Sequence, residues 1–167
     1  MAKASSGRLA AAFPVRGHNH EFCLADALAA AEAKCRAQGA RFTKLRRQVF
    51  ELVHASHQPT GAYEILEALA AERGRTAPPT VYRALDFLSR LGLVHRIESL
   101  NAFVGCSHPG HEGPHPFLIC DNCGVAAEID ETALLGHLRS AAGRLGFAIE
   151  SLNVEATGRC PNCALGA

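Results

Sequence analysis

Two Cys-x-x-Cys pairs, Cys120-Asp121-Asn122-Cys123 and Cys160-Pro161-Asn162-Cys163, constrain the fold of this chain more than any other stretch. Two thiolates at that spacing reach one tetrahedral ion, and four close its coordination shell. The 36 residues between the pairs are more than a compact zinc ribbon uses. They leave room for a β-α-β unit folded between two metal-holding turns. A redox pair and an iron–sulfur cluster are the alternatives. A redox Cys-x-x-Cys usually opens a helix, whereas Cys120 closes the apolar run Phe117-Leu118-Ile119 and Gly124 follows Cys123. Cys120, Cys123, Cys160 and Cys163 are therefore expected to hold a structural zinc ion.

A chain of 167 residues builds one large domain or two small ones, and small domains often need a metal or a partner subunit. No apolar run is long enough for a transmembrane helix, so no membrane association is expected. The start, Met1 to Arg8, shows no secretory apolar core. A cytoplasmic location follows as the expectation, and reduced thiols there favour metal over disulfides. Charge is unevenly spread. Residues 1–106 hold 14 Lys+Arg against 9 Asp+Glu, and residues 107–167 hold 3 against 7. A basic half suits a polyanionic partner.

Residues 1–22 read as a flexible tail. His18, His20 and Cys23 could bind metal loosely, but nothing in the local sequence would hold them in place. Apolar spacing through Leu24, Ala27, Leu28, Ala31 and Cys35 predicts a helix over 23–38, ended by Gly39, with Cys35 a small buried hydrophobe. Thr43 caps a second helix, to about His54, with Leu45, Val49, Leu52 and Val53 inward. Lys44, Arg46 and Arg47 lie on its outer face, placed for phosphates or merely solvated. His54 and His57 read as surface residues. After a turn at Pro59-Thr60-Gly61, a third helix runs from Ala62 to about Glu72.

Pro78-Pro79-Thr80 opens the next element, as proline is tolerated in a first helical turn. Val81, Ala84, Leu85, Leu88 and Leu91 keep a 3.6-residue period, and Gly92 ends the run. Two short β-type runs follow, 94–97 and 102–104. Three helices and a hairpin, after one extra leading helix, is the order of a winged helix-turn-helix. In such folds the start of the second helix of the motif meets base edges. Thr80, Tyr82 and Arg83 stand there, and arginine can pair bidentately with guanine.

The C-terminal part reads as a strand into Cys120, a hairpin partner at Val125 to Ile129, a helix from Glu131 to about Leu145 and a strand over Phe147 to Ala156. A second, looser set of possible ligands comprises His95, Cys106, His108, His111, His115 and Glu128. Each alone also reads as a surface histidine, a buried thiol or a solvated carboxylate.

Several motifs together resemble the ferric-uptake-regulator (Fur) superfamily, and within it the zinc-uptake branch. They are Pro78 to Leu88, Gly92-Leu93-Val94-His95, Phe103-Val104-Gly105-Cys106, Ile119 to Gly124, Gly146-Phe147 and the closing Cys-x-x-Cys. The resemblance spans about 24 to 163. It implies an α+β protein: a winged helix-turn-helix DNA-binding domain over 23–104, a hinge and loop over 105–113, and a small α/β dimerisation domain with the four-cysteine zinc site over 114–167. It implies a homodimer on double-stranded operator DNA. It also implies two Zn2+ per subunit, the second regulatory and held by His95, Cys106, a loop histidine and Glu128. The loop departs from the family pattern in length. His115 is closest in position to the third ligand, then His111, then His108. The cluster of the iron- and peroxide-sensing branches is absent before Cys120. The family's DNA-contacting tyrosine and arginine fall on Tyr63 and Arg83.

The function this implies is zinc-responsive repression: zinc-loaded dimers bind palindromic operators of zinc-uptake genes and leave when zinc is scarce. An iron- or peroxide-sensing regulator is the alternative within the family, and a zinc-ribbon protein–protein adaptor the alternative outside it. An adaptor needs no Thr-Val-Tyr-Arg helix. No nucleophile with a base and an orienting group stands out, so neither an enzyme nor a small-molecule substrate is expected.

Overall fold

The computed structural model describes residue 13 and residues 20–74, 76–107 and 115–164. Helices α1 (His20–Ala37), α2 (Lys44–Val53), α3 (Ala62–Arg73) and α4 (Pro78–Arg90) form the N-terminal half with strands β1 (Thr60–Gly61), β2 (Val94–Ile97) and β3 (Ala102–Gly105). Strands β4 (Phe117–Cys120), β5 (Ala126–Glu128) and β6 (Glu155–Gly158), with helices α5 (Thr132–Arg144) and α6 (Pro161–Ala164), form the C-terminal half. Helix α1 begins at His20, ahead of the expected Cys23; His18, like most of the expected tail, lies outside the described residues.

The first core follows the sequence periods. Val81, Ala84, Leu85 and Leu88 of α4 are buried against Val49, Phe50 and Val53 of α2 and Ile65 and Leu69 of α3. Each of these side chains larger than Ala84 contributes about 1.5–3 kcal/mol on leaving water. The Thr43 hydroxyl accepts from the Arg46 amide and satisfies an orphan donor at the start of α2. Gly39, at φ 62°, takes the left-handed turn that ends the α1 segment.

Three details depart from expectation. Thr60 and Gly61 form no mere turn; they pair with Phe103 and Ala102, giving a three-stranded sheet in the order β1-β3-β2. His54 is buried, stacked on Phe50 with ring centroids 3.8 Å apart, because the helix end is covered by β3. The close approach requires Gly105: a Cβ there would lie 2.3 Å from His54 Nε2. Lastly, Phe147 to Val154 is not strand. Strand β6 pairs in parallel with β4 from Phe117↔Glu155 to Cys120↔Gly158, and β4 offers only those four residues.

The halves share a core. Ile97 and Val104 of the β2–β3 hairpin, the wing, pack on Phe117, Ile119 and Ala126 of the second sheet, whose order is β5-β4-β6. Backbone and side-chain bonds also cross the seam: the Ala126 amide donates to His57 O (3.0 Å) and Gln58 Nε2 donates to Cys123 O (2.6 Å).

Candidate metal centres and nucleic-acid interface

Strand β4 delivers Cys120 and the tight turn after it delivers Cys123. Gly124, at φ 74°, lets the chain reverse, and its amide donates to Cys120 O. Cys160 precedes the single turn of α6, which carries Cys163. The four Sγ atoms lie within 4.8 Å of one another, with Cys123 and Cys160 3.7 Å apart. With metal–sulfur bonds of about 2.3 Å, the edge of a tetrahedral four-thiolate shell is about 3.8 Å. The thiols fit one ion. The Cys160 amide donates to Cys120 Sγ (3.3 Å), and Asn122 Nδ2 donates to Cys163 Sγ (3.2 Å). Backbone amides, the Cys160 one foremost, draw the Cys120 thiol down to about 6. The Val125 amide pulls Cys123 the same way. Burial and the neighbouring sulfurs outweigh it, so that thiol is pushed up to about 12. Four thiolates this close repel one another and require a cation.

The second cluster lies on the seam. His95 comes from β2, Glu128 ends β5, and His115 stands two residues before β4; their ligand atoms lie within 4.8 Å of one another. Glu128 is almost wholly buried. Its Oε2 accepts from the Ser107 amide (3.0 Å), while Oε1 faces His95 Nε2 at 3.7 Å and His115 Nδ1 at 3.3 Å. Among the described residues, Oε1 and His95 Nε2 are buried without a hydrogen bond. A buried carboxylate without a cation costs several kcal/mol, and two ligands on a tetrahedral zinc ion sit about 3.4 Å apart. Burial lowers the His95 pKa, partly offset by Glu128, which favours the neutral imidazole that binds metal. Cys106 is buried immediately after β3, one residue from the amide that holds Glu128, but its Sγ does not lie within 4.8 Å of all three of those ligand atoms. His108 and His111 lie outside the described residues.

At the other end, Tyr63 stands exposed in the first turn of α3. Thr80, Tyr82 and Arg83 sit in the first turns of α4, the last two exposed. Arg46 is occupied otherwise. Its guanidinium lies 3.4 Å over the Phe87 ring and bonds to Arg41 O, tying α2 to α4. Arg47 pairs with Glu32 and Glu51.

A family model described as the ferric uptake regulator family matches residues 37–157. The chain belongs to that family. The zinc uptake regulation protein of Escherichia coli (strain K12) is 36% identical over 139 residues, covering 81% of this chain and 80% of that protein. A solved zinc uptake regulator complexed with zinc and DNA superposes with a TM-score of 0.78 at 32% identity, over 89% of this chain and 97% of its own. Holo XcZur gives 0.76 at 40% identity, over 88% and 99%. Apo XcZur, at the same 40% identity, gives only 0.50 over 84% and 97%. This Fur-family chain is thus arranged more like the holo form than the apo form. Sequence reasoning singled out neither Gln58 nor Asn122, which support the four-cysteine turns.

Proposed function

We propose that this Fur-family chain is a zinc-responsive transcriptional repressor, acting as a homodimer on palindromic operator DNA of zinc-uptake genes in the cytoplasm. Residues 23–104 read DNA, 105–113 join the halves, and 114–167 dimerise. The observation that carries the reading is the His95–His115–Glu128 cluster, whose members come from both sides of the seam. When bound, a zinc ion supplies the positive charge this set needs. His95 then ties the wing to the second sheet, and Glu128 holds both the wing base and the Ser107 amide. The halves become fixed, and with them the angle at which α4 meets the major groove. An effector shifts such an equilibrium only by binding one arrangement better, and by reciprocity DNA tightens zinc binding.

We assign two zinc ions per subunit: one held by Cys120, Cys123, Cys160 and Cys163, and one by His95, His115 and Glu128 with Cys106 as the adjacent thiol. Thiolate and imidazole favour zinc over iron(II) and manganese(II). Arg83, Tyr82 and Thr80 face base edges, and Tyr63 faces the backbone. Leu134, Leu138, Leu145 and Phe147 leave an exposed apolar face on and after α5, suited to a second copy. The activity is binding without turnover. The test is a gel shift on an AT-rich palindromic duplex against buffered free zinc, with zinc per subunit counted by native mass spectrometry. Binding should appear as the second zinc loads. DNA affinity that is already full at one zinc per subunit would overturn the proposal.

A further inference from the structure

The wing is attached to the C-terminal sheet at a second point. Glu155, the first residue of β6, places Oε1 2.7 Å from the Glu98 amide and Oε2 3.1 Å from the Ser99 amide. These are consecutive donors in the turn between β2 and β3. The turn is itself braced: the Asn101 amide donates to Glu98 O (3.2 Å), Asn101 sits at φ 47°, and Arg96 bonds Asn101 Oδ1 (2.9 Å). A carboxylate taking two backbone amides makes charge-assisted bonds, roughly twice as strong as neutral ones.

The placement gives this contact a consequence. Phe117 pairs with Glu128 on one side and Glu155 on the other, so one row of the sheet carries both carboxylates. Glu128 meets the wing at its base, through His95 and the Ser107 amide. Glu155 meets it at its tip. Ile97 and Val104 pack on the sheet between them. The basal attachment is made of candidate metal ligands, and the tip attachment contains none.

We propose that Glu155 is a positioning residue for metal sensing: it holds the wing tip on the C-terminal sheet before metal arrives, keeping His95 opposite His115 and Glu128. This rests on the seam cluster being the regulatory site. Apparent metal affinity falls in proportion to the fraction of molecules in the competent arrangement. Glu155 therefore sets the zinc concentration at which the site fills, while a filled site holds the wing without it.

The experiment uses the full-length dimer with its four-cysteine site loaded. Zinc binding at the seam is measured by competition with a chelator, and DNA affinity is measured separately at saturating zinc. Glu155→Gln keeps the shape but loses the charge and one acceptor. It should raise the zinc midpoint about tenfold and leave zinc-saturated DNA affinity within about twofold. Ser99→Pro removes both the amide and the hydroxyl that Ser99 offers to Glu155 and leaves the Glu98 amide. It should shift the midpoint in the same direction, and the double variant should be no worse than the worse single one. A Glu155→Gln midpoint within about twofold of the parent overturns the proposal. So does an equal loss of zinc-saturated DNA binding, which would make Glu155 a general structural residue. The zinc midpoint is read without DNA, so it decides the role of Glu155 separately. If parental DNA binding ignores the second zinc, the regulatory reading fails instead.

Discussion

The four-cysteine cluster and the seam cluster are both built around β4, yet they draw on different parts of the chain. All four cysteines belong to the C-terminal half, at the ends of β4 and β6 and the turns after them. The seam cluster takes His95 from the wing and His115 and Glu128 from the other half. A metal held within one half adds to folding free energy. A metal shared by two halves adds to the free energy of one orientation over another. On the proposed assignment the thiolate cluster is a part of the fold, and the imidazole–carboxylate cluster is a lever on it.

The sharpest way to break that contrast is to damage the thiolate cluster. Cys163→Ser is expected to lose stability on the order of 10 kcal/mol at neutral pH, since structural zinc binding is folding free energy. Recovery of a cooperatively melting dimer in a urea titration with zinc present would sink the distinction. Damage to the seam should behave otherwise. In His95→Ala and Glu128→Gln, zinc should drop from two to one per subunit, zinc-dependent DNA affinity should fall about 100-fold, and the circular dichroism melt should persist. Two retained zinc ions, or a collapsed fold, would contradict the seam assignment.

Two arginines sharpen the division between reading DNA and holding the reader. Arg83→Ala should weaken specific binding by about 1–3 kcal/mol and relax preference at one base per half-site. Arg46→Ala should instead lower stability by about 1 kcal/mol, because its guanidinium lies on Phe87. A salt slope flattened by about one would return Arg46 to the phosphate contacts.

The smallest effect is on pH. Burial holds the His95 pKa below its ordinary value near 6.5. The unfolded chain therefore takes the proton first. The stability that neutral His95 contributes is present above 6.5 and lost as pH falls through the lowered value. With the seam metal removed, the parent should lose more stability than His95→Gln between about pH 7 and 5.5; parallel curves would refute the depressed pKa.

Much of this was legible in the sequence where it rests on spacing. The period of Val81, Ala84, Leu85 and Leu88 marked the buried face of α4, and two Cys-x-x-Cys pairs marked a four-thiol cluster. What rests on distant contact was not legible. His54 resembled a surface histidine because the glycine that lets it pack, Gly105, is 51 residues away. Glu155 was one acidic residue in a weak strand, and its partners, two turn amides and the Ser99 hydroxyl, lie more than fifty residues away. Arg46 lay on the polar face of its helix, but Phe87, on the next helix but one, turned that face into an interface.

The pairing of Phe117 with Glu128 also bears on which length changes this fold tolerates. Alternate residues of a strand face opposite ways, so a slip of one residue turns a side chain over. One residue added to the turn between Cys120 and Ala126 would either spoil the thiol turn or rotate Glu128 out of the seam. The connection over 148–153, between the apolar face of α5 and β6, sets no strand register. Insertions are therefore compatible with a working molecule in that connection and incompatible with it in the short hairpin.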